Sequence, residues 1–89
     1  MILAKVIGTV WATKKDERLV GMKLLIVRPV ELDYEEKQGF LVAVDAVGAG
    51  VGEIVLVCQG SSARQTILTE SKAVDATIMA IVDKLDVSE

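Results

Sequence analysis

The residues that could carry nucleophilic chemistry in this chain lack the partners that such chemistry needs. Cys58 is the single cysteine, and no histidine occurs among the 89 residues. A thiol or hydroxyl nucleophile is ordinarily activated by an adjacent general base. A Ser-His-Asp triad therefore cannot be assembled around Ser61 or Ser62. Because Cys58 lies in an apolar stretch, we expect it to be a small core residue rather than a nucleophile.

The carboxylates could in principle act as a general acid and base pair. Glu35 and Glu36 fall in a polar segment and are expected to be solvated, whereas Asp45 lies between apolar residues and Asp75 begins the last segment. Either aspartate could pair with Arg64. We expect both aspartates to be structural carboxylates that accept hydrogen bonds, rather than catalytic groups. For Arg64 we expect a salt bridge or backbone contact to a second subunit rather than an anion site at the start of a helical turn.

A glycine-rich loop, Gly48-Ala49-Gly50-Val51-Gly52, follows an apolar run, as a dinucleotide-binding fingerprint would. That fingerprint must open a helix, whose N-terminus holds the pyrophosphate. Here the next residues, 53–57, are strand-like, and the spacing is G-x-G-x-G. The pattern instead indicates a turn that needs positive φ or close backbone approach. Such glycines would also let equivalent loops pack tightly around a symmetry axis.

The composition indicates a small single domain, residues 1–89, that needs partners. A chain of this length buries only about 60–65% of its unfolded surface, and such domains usually rely on disulfides, metals or oligomerisation. One cysteine allows no internal disulfide, and zinc would lack ligands. Since 52% of the residues are hydrophobic, oligomerisation is the remaining means of stabilisation.

The charge and hydropathy of the chain argue against several classes of partner. The net charge is −3, whereas nucleic-acid-binding proteins usually show a basic footprint. No apolar run reaches the roughly 18 residues of a membrane span, and the N-terminus lacks the features of a signal peptide. The free thiol suits a reducing compartment. We therefore expect a cytosolic protein that binds neither nucleic acid nor membrane.

The elements that would position these residues are short β-branched runs between charged or glycine-bearing turns. Strands are predicted over residues 2–13, 22–30, 39–47 and 53–59. Pro29 cannot donate to a strand ladder and is expected at a strand end or edge. Residues 14–18 would form a charged loop, and residues 31–38 an acidic surface excursion. Short strands separated in this way indicate a small barrel or sandwich.

The first predicted strand has one apolar face and a second face that is only half polar. Its even positions are mostly apolar, while Leu3, Ile7 and Trp11 alternate with polar residues at the odd positions. A strand with a solvated face should alternate more cleanly. Either a second layer within the monomer or a contact between subunits would explain the pattern.

A short helical turn and an ambiguous final segment complete the chain. Ser62 and Gln65 have the S-x-x-Q spacing of a capping box, which predicts a helical turn, and residues 69–73 form a polar linker. In the last segment, 74–87, the apolar residues follow a helical stripe. The stripe comprises Val74, Ile78, Ile81, Val82 and Leu85. Periodicity thus favours a helix there, although the β-branched residues also fit a strand.

Several segments taken together resemble one known family. They are AKVIGTV at 4–10, KLL at 23–25, DAVGAG at 45–50, GE at 52–53, VL at 55–56, GSSARQ at 60–65, VDA at 74–76 and IVD at 81–83. In this order and spacing, which cover nearly the whole chain, they resemble the small proteins that form the pentameric vertices of bacterial microcompartment shells, of the ethanolamine-utilisation and carboxysome type.

The resemblance implies an all-β fold, a small five-stranded OB-like β-barrel with one short helix, in which Val74 to Leu85 is a strand despite its periodicity. It implies a non-catalytic structural protein, without cofactor or metal, that forms a cyclic pentamer at the fivefold vertices of a shell in the bacterial cytoplasm. Its partners would be copies of itself and hexameric shell proteins. The residues expected at the subunit contact are Gly48, Ala49, Gly50, Gly52, Ser61, Ser62, Ala63 and Arg64.

The spacing of these residues is compatible with a ring of five subunits and with a ring of six.

The sequence is also compatible with two other functions. An OB-like binding module for an oligonucleotide or oligosaccharide is the alternative function, although such modules stack bases on aromatics in a basic groove. Trp11, Tyr34 and Phe40 are instead scattered along an acidic chain. An enzyme with a carboxylate-based site is the third hypothesis.

Overall fold

Five strands in a ring form the body of the molecule. The structure is a computed structural model that describes residues 1–64, 66 and 75–88. The strands are β1 Ile2–Val10, β2 Leu24–Pro29, β3 Leu41–Asp45, β4 Ile54–Gln59 and β5 Ala76–Val82, and they pair in the order β1-β2-β3-β5-β4 with β4 returning to β1. The prediction of an all-β, five-stranded barrel is confirmed, and Pro29 is a strand end as expected.

The ring is closed tightly on most of its circumference and loosely at one seam. Antiparallel ladders join β1 to β2 and β4, β2 to β3, and β4 to β5. The contact between β3 and β5 is parallel and consists of two pairs, Val44 with Thr77 and Asp45 with Ile78. The end of β3, where the glycine loop begins, is therefore held at this seam.

The barrel interior is filled by small and medium aliphatic side chains that alternate along each strand. Those within the described part of the chain are Ala4, Val6, Leu25, Val27, Ala43, Ala49, Val55, Val57, Ala76 and Ile78, with Ile2, Leu41 and Ile81 packed against them. Fully burying one valine or leucine side chain contributes roughly 1.5–3 kcal/mol relative to exposure. The inward side chains of β2 and β3 are thus Leu25, Val27 and Ala43, which leaves the residues between them facing outward.

A smaller cluster packs outside the barrel and covers part of its outer face. Met22, Val44, Cys58 and Ala63 form it, with Leu19, Leu24 and Met79 packed at its edge. Two 3₁₀ helices, Glu17–Leu19 and Gly60–Arg64, supply Leu19 and Ala63. Cys58 is buried here, so its prediction as a core residue is confirmed.

The last segment is a strand, β5, although its sequence periodicity favours a helix. Six residue pairs join β5 to β4, from Gln59 with Ala76 to Ile54 with Val82. Hydrogen bonds to a neighbouring strand outweigh the weak local preference. The strand predicted from the resemblance is confirmed over Ala76–Val82, while Val74 lies outside the described residues.

The predicted short helix is a 3₁₀ helix of five residues, Gly60–Arg64, and the described residues contain no α-helix. The turn therefore begins two residues earlier than the spacing of Ser62 and Gln65 indicates, and Gln65 lies outside the described residues. In the described part of the chain, no helix is long and apolar enough to span a membrane.

A bulge in β1 changes which of its residues face the interior. The register with β2 shifts between Val6 and Gly8. Before the shift, Val6 pairs with Val27, and both side chains are buried. After it, Gly8 pairs with Ile26 and Val10 with Leu24, so these positions lie on the outer face. A bulge inserts one residue and thereby re-aims the rest of the strand.

Candidate subunit interface

A single carboxylate organises the first half of the glycine loop, residues 48–52. Asp45 ends β3 and is 7% exposed. Its Oδ1 accepts hydrogen bonds from the backbone N–H groups of Val47, Gly48 and Ala49, at 3.0, 3.0 and 3.1 Å. Ala49 is buried in the barrel core. Asp45 is therefore a hydrogen-bonded structural carboxylate, as its sequence context predicted.

A second carboxylate and the first strand hold the other half of the loop. Glu53 Oε1 accepts a hydrogen bond from the backbone N–H of Gly50 at 2.6 Å. The backbone N–H of Gly52 donates to the carbonyl of Val6 at 2.8 Å, and that of Val6 donates to the carbonyl of Glu53 at 2.9 Å. The loop is thus fastened to β1 and forms a rigid extension of the barrel.

The three glycines of the loop do not have the same backbone role. Gly48 and Gly52 adopt φ of +79° and +93°, a region that other residues enter at a cost of roughly 1–2 kcal/mol. Gly50 is outside that region, and a Cβ added there would lie 3.4 Å from Glu53 Oε1, an ordinary contact. The backbone therefore requires glycine at positions 48 and 52, whereas it accommodates a side chain at position 50.

The loop is not built to hold a phosphate. The four successive backbone N–H groups of residues 47–50 all donate to the carboxylates of Asp45 and Glu53. A phosphate cradle presents such groups to the ligand and places it at the start of a helix. Here Glu53 leads into strand β4. The inference from the spacing, that this is no dinucleotide fingerprint, agrees with this geometry.

The second predicted contact segment, Ser61–Arg64, lies in the 3₁₀ helix Gly60–Arg64, which is anchored on β5. The backbone N–H of Gly60 donates to the carbonyl of Asp75 at 2.7 Å. The buried Thr77 hydroxyl donates to the carbonyl of Ala63 at 2.6 Å. Ala63 is fully buried, and Ser61 is exposed. The segment is thus held in place from inside while Ser61 remains accessible.

The side chains of Ser62 and Arg64 lie outside the described part of the structure. The predicted pairing of Arg64 with Asp45 or Asp75, or with a neighbouring subunit, therefore stays a prediction. The carboxylate of Asp45 already accepts three hydrogen bonds from its own loop.

The two predicted segments lie at opposite ends of β4 within one subunit. The glycine loop precedes Ile54, and the Gly60–Arg64 turn follows Gln59. Six strand residues at about 3.3 Å each separate them by roughly 20 Å. The structure does not bring these segments together in a single chain, so each is available to a different neighbour.

The outer face of the sheet carries partly exposed apolar side chains that are not among the predicted contact residues. Val42 lies in β3 with 42% of its surface exposed, and Ile26 beside it is partly exposed. The available signal was β3 itself, which is apolar on both faces from Phe40 to Val44. Among the apolar residues predicted to be covered by a neighbour or by the barrel itself, Leu3 and Ile7 are partly buried and Trp11 is 90% exposed.

Comparison with known proteins identifies close relatives over the full described fold. Residues 1–83 match the family model described as ethanolamine utilisation protein EutN/carboxysome. The chain is 48% identical to the bacterial microcompartment shell vertex protein PduN of Salmonella typhimurium, covering 96% of this chain and 98% of that protein. It is 44% identical to the carboxysome shell vertex protein CcmL of Nostoc sp., covering 100% and 89%.

A solved structure shares the same fold. The structure of the GrpN pentameric microcompartment shell protein from Rhodospirillum rubrum superimposes with a TM-score of 0.90 and 45% sequence identity, and the alignment covers 99% of this chain and 100% of that one.

Proposed function

The chain belongs to the EutN/carboxysome family of ethanolamine-utilisation and carboxysome proteins, and we infer from this that it is a shell vertex protein of a bacterial microcompartment. It is a structural protein that forms a cyclic pentamer, and it caps the fivefold vertices of the shell. The observation that carries this conclusion is the agreement in sequence and fold, over almost the whole chain, with shell vertex proteins, one of which is described as pentameric.

The geometry of a closed shell explains why a vertex protein is needed. A flat layer of sixfold tiles cannot close, and fivefold units supply the curvature that lets a shell close. A cyclic ring repeats one heterologous interface until it returns to the first subunit. An apolar chain of 89 residues with a small core gains the stability that its size does not provide by burying outer surface in that ring.

The glycine loop and the Gly60–Arg64 turn are proposed as subunit contacts. The exposed Gly48 and Gly52, with the small Gly50, would allow a neighbouring chain to approach the loop backbone closely. The exposed Ser61 would lie at the contact, with Ser62 and Arg64 beside it. Ala49 and Ala63 are buried within their own subunit, so they would hold the two segments in shape from inside.

The position of a vertex within a shell suggests which other proteins the ring would contact. We propose that the pentamer seats among hexameric shell proteins, whose edges it would meet at each corner.

The two other hypotheses are not favoured. A binding module for an oligonucleotide or oligosaccharide finds no counterpart among the relatives described above, which are named shell vertex proteins. For a carboxylate-based active site the candidates would be Asp45 and Glu53, and the hydrogen bonds that both accept from the backbone of their own loop give them a structural role.

Native mass spectrometry tests the proposed function directly. Five chains of 9.5 kDa give a ring of about 48 kDa, against 9.5 kDa for a monomer. We expect the ring at micromolar protomer concentration. A folded protein that stays monomeric at that concentration would contradict the proposal that the chain is a vertex protein.

Gly50→Val tests whether the glycine loop is a subunit contact. Because the backbone accepts a side chain at position 50, we expect the variant to lose the ring while its barrel remains folded and melts cooperatively. Gly48→Val is the matched control, since its positive φ predicts a loss of subunit stability as well. Equal losses of ring and of barrel stability in Gly50→Val would show a turn glycine without contact to a neighbour.

A further inference from the structure

The outer face of β1, β2 and β3 carries an apolar strip that its own chain leaves uncovered. Gly8, Ile26 and Val42 lie side by side across the three strands, and Val10 adjoins them. We call these four residues the outer apolar strip. The side chains on either side of Ile26 and Val42, those of Leu25, Val27 and Ala43, are buried. Ile26 and Val42 therefore point away from the barrel interior.

The strip is bounded by two different environments. At one end the next cross-strand pair, Leu24 with Val44, is covered by the small outer cluster, and Val44 is only 3% exposed. At the other end Arg28 Nη1 lies 3.3 Å from Glu36 Oε1, and Lys5 Nζ lies 3.8 Å from Glu36 Oε2. An apolar centre beside a charged rim is the usual make-up of a protein interface.

Val42 differs from the other exposed apolar residues in where it lies. The large hydrophobic residues exposed in the described chain are Met1, Trp11, Val20, Leu32, Tyr34, Phe40, Val42, Val47, Val51 and Val87. Val42 is the member of this set that lies within a strand. The solvated face of an antiparallel sheet is ordinarily polar, so an exposed valine next to Ile26 indicates a surface that is covered in the assembled protein.

We propose that the outer apolar strip receives the glycine loop of a neighbouring copy of this chain, through Val51 of that loop and the adjoining Val47. This inference rests on the proposed ring. Each subunit of a ring presents two different patches, and a stable interface buries about 800 Å² on each partner. Two such patches take roughly a quarter of the 5874 Å² surface of the chain.

The loop and the strip are suited to be those two patches. Val47 and Val51 are 40% and 67% exposed on a loop that two carboxylates hold rigid, so little conformational entropy is lost when it docks. On the strip, Gly8 carries no side chain, and a Cβ there would lie 3.4 Å from Ile26 Cδ1, so the Ile26 side chain packs over Gly8. A valine side chain from a neighbour would therefore meet the exposed side of Ile26 and the adjacent Val42.

The experiment compares Val42→Asp, Val51→Asp and the control Val87→Asp, an exposed valine outside both patches, by native mass spectrometry and circular dichroism. Burying an unpaired carboxylate is strongly unfavourable. We expect Val42→Asp and Val51→Asp each to lose the ring at micromolar concentration and to remain folded, while Val87→Asp keeps it. Threonine is close to valine in shape, and we expect Val42→Thr to raise the dissociation constant of the ring at least tenfold. This variant replaces Val42→Asp in the comparison if Val42→Asp does not fold.

Mixing the two defective variants tests whether the patches meet each other. A Val42→Asp chain keeps an intact loop, and a Val51→Asp chain keeps an intact strip, so one sound interface can form between them. We expect a heterodimer of two chains that does not grow further. Absence of this heterodimer, or a Val42 variant that remains a ring, would overturn the inference. A monomeric wild type would instead remove the proposed function.

Discussion

Replacing Asp45 tests the claim that one carboxylate sets the shape of the glycine loop. Asp45 Oδ1 accepts three backbone hydrogen bonds, from Val47, Gly48 and Ala49. In Asp45→Ala all three donors lose their acceptor. The N–H of Ala49 is buried and has no ready substitute, whereas Val47 and Gly48 are exposed residues that water can reach.

The magnitude follows from these differences in exposure. A buried donor left unpaired costs roughly 1–3 kcal/mol, and a typical hydrogen bond that water can replace contributes about 1 kcal/mol. Asp45→Ala should therefore lower the free energy of unfolding by about 3–5 kcal/mol. Asp45→Asn keeps an acceptor oxygen without the charge, and neutral hydrogen bonds are roughly half as strong. We expect it to cost about 1–2 kcal/mol, or a fall in Tm of roughly 5–15 °C.

The assay is urea unfolding followed by circular dichroism, at one protomer concentration for all variants, because ring formation makes stability concentration-dependent. Asp33→Ala is the matched control. Asp33 Oδ1 accepts a single hydrogen bond, from the N–H of Glu35, at an exposed site, so we expect a loss below about 0.5 kcal/mol.

The reasoning is tested by the order of stability, in which the wild type is the most stable, Asp45→Asn is intermediate and Asp45→Ala is the least stable. If Asp45→Ala were as stable as wild type, or no less stable than Asp33→Ala, the three hydrogen bonds would not be what holds the loop. An Asn variant as unstable as the Ala variant would show that the charge, and not the acceptor position, is decisive.

Two further predictions concern the segments around the barrel. Thr77→Val removes the hydroxyl that donates to the Ala63 carbonyl at 2.6 Å and leaves that carbonyl unpaired, so thermal melts should show a loss of roughly 1–3 kcal/mol; an unchanged Tm would mean that the 3₁₀ turn is held by packing alone. Arg28→Ala removes the donors to the Gly39 carbonyl and to Glu36, an exposed contact worth less than about 1 kcal/mol, so hydrogen exchange should quicken within residues 31–38 while Tm changes little. Exchange unchanged there would refute the role of Arg28 as a clamp.

The sequence was sufficient for the parts of the fold that depend on local patterns. The strands β1 to β4 fall where β-branched runs between turn residues predict them, because alternation and turn chemistry are local properties. The lack of a catalytic triad also followed from composition, since the chain contains no histidine. The structural role of Asp45 followed from its apolar neighbours.

The details that depend on contacts between distant residues were not accessible in the same way. Nothing near Asp45 in sequence states that its carboxylate will accept three particular amides, because that depends on the path of the loop after β3. The positive φ of Tyr34 has no sequence signal either. The bulge between Val6 and Gly8 changed the facing of Val10, which a strict alternation from Ile2 would place with the core.

By itself the amino-acid sequence determined the all-β class of this protein, the order of its strands along the chain and, through segments in a fixed order, its family. Periodicity alone favoured a helix for the last segment, the resemblance predicted a strand, and pairing with β4 makes it the strand β5. Only the tertiary structure decided that Val42 and Ile26 face outward while Leu41 and Ala43 face the core. The physical reason is the same in each case. An apolar pattern that repeats every two residues indicates that successive side chains lie on opposite faces of a strand. Pairing with strands that are distant in sequence decides which of the two faces is buried.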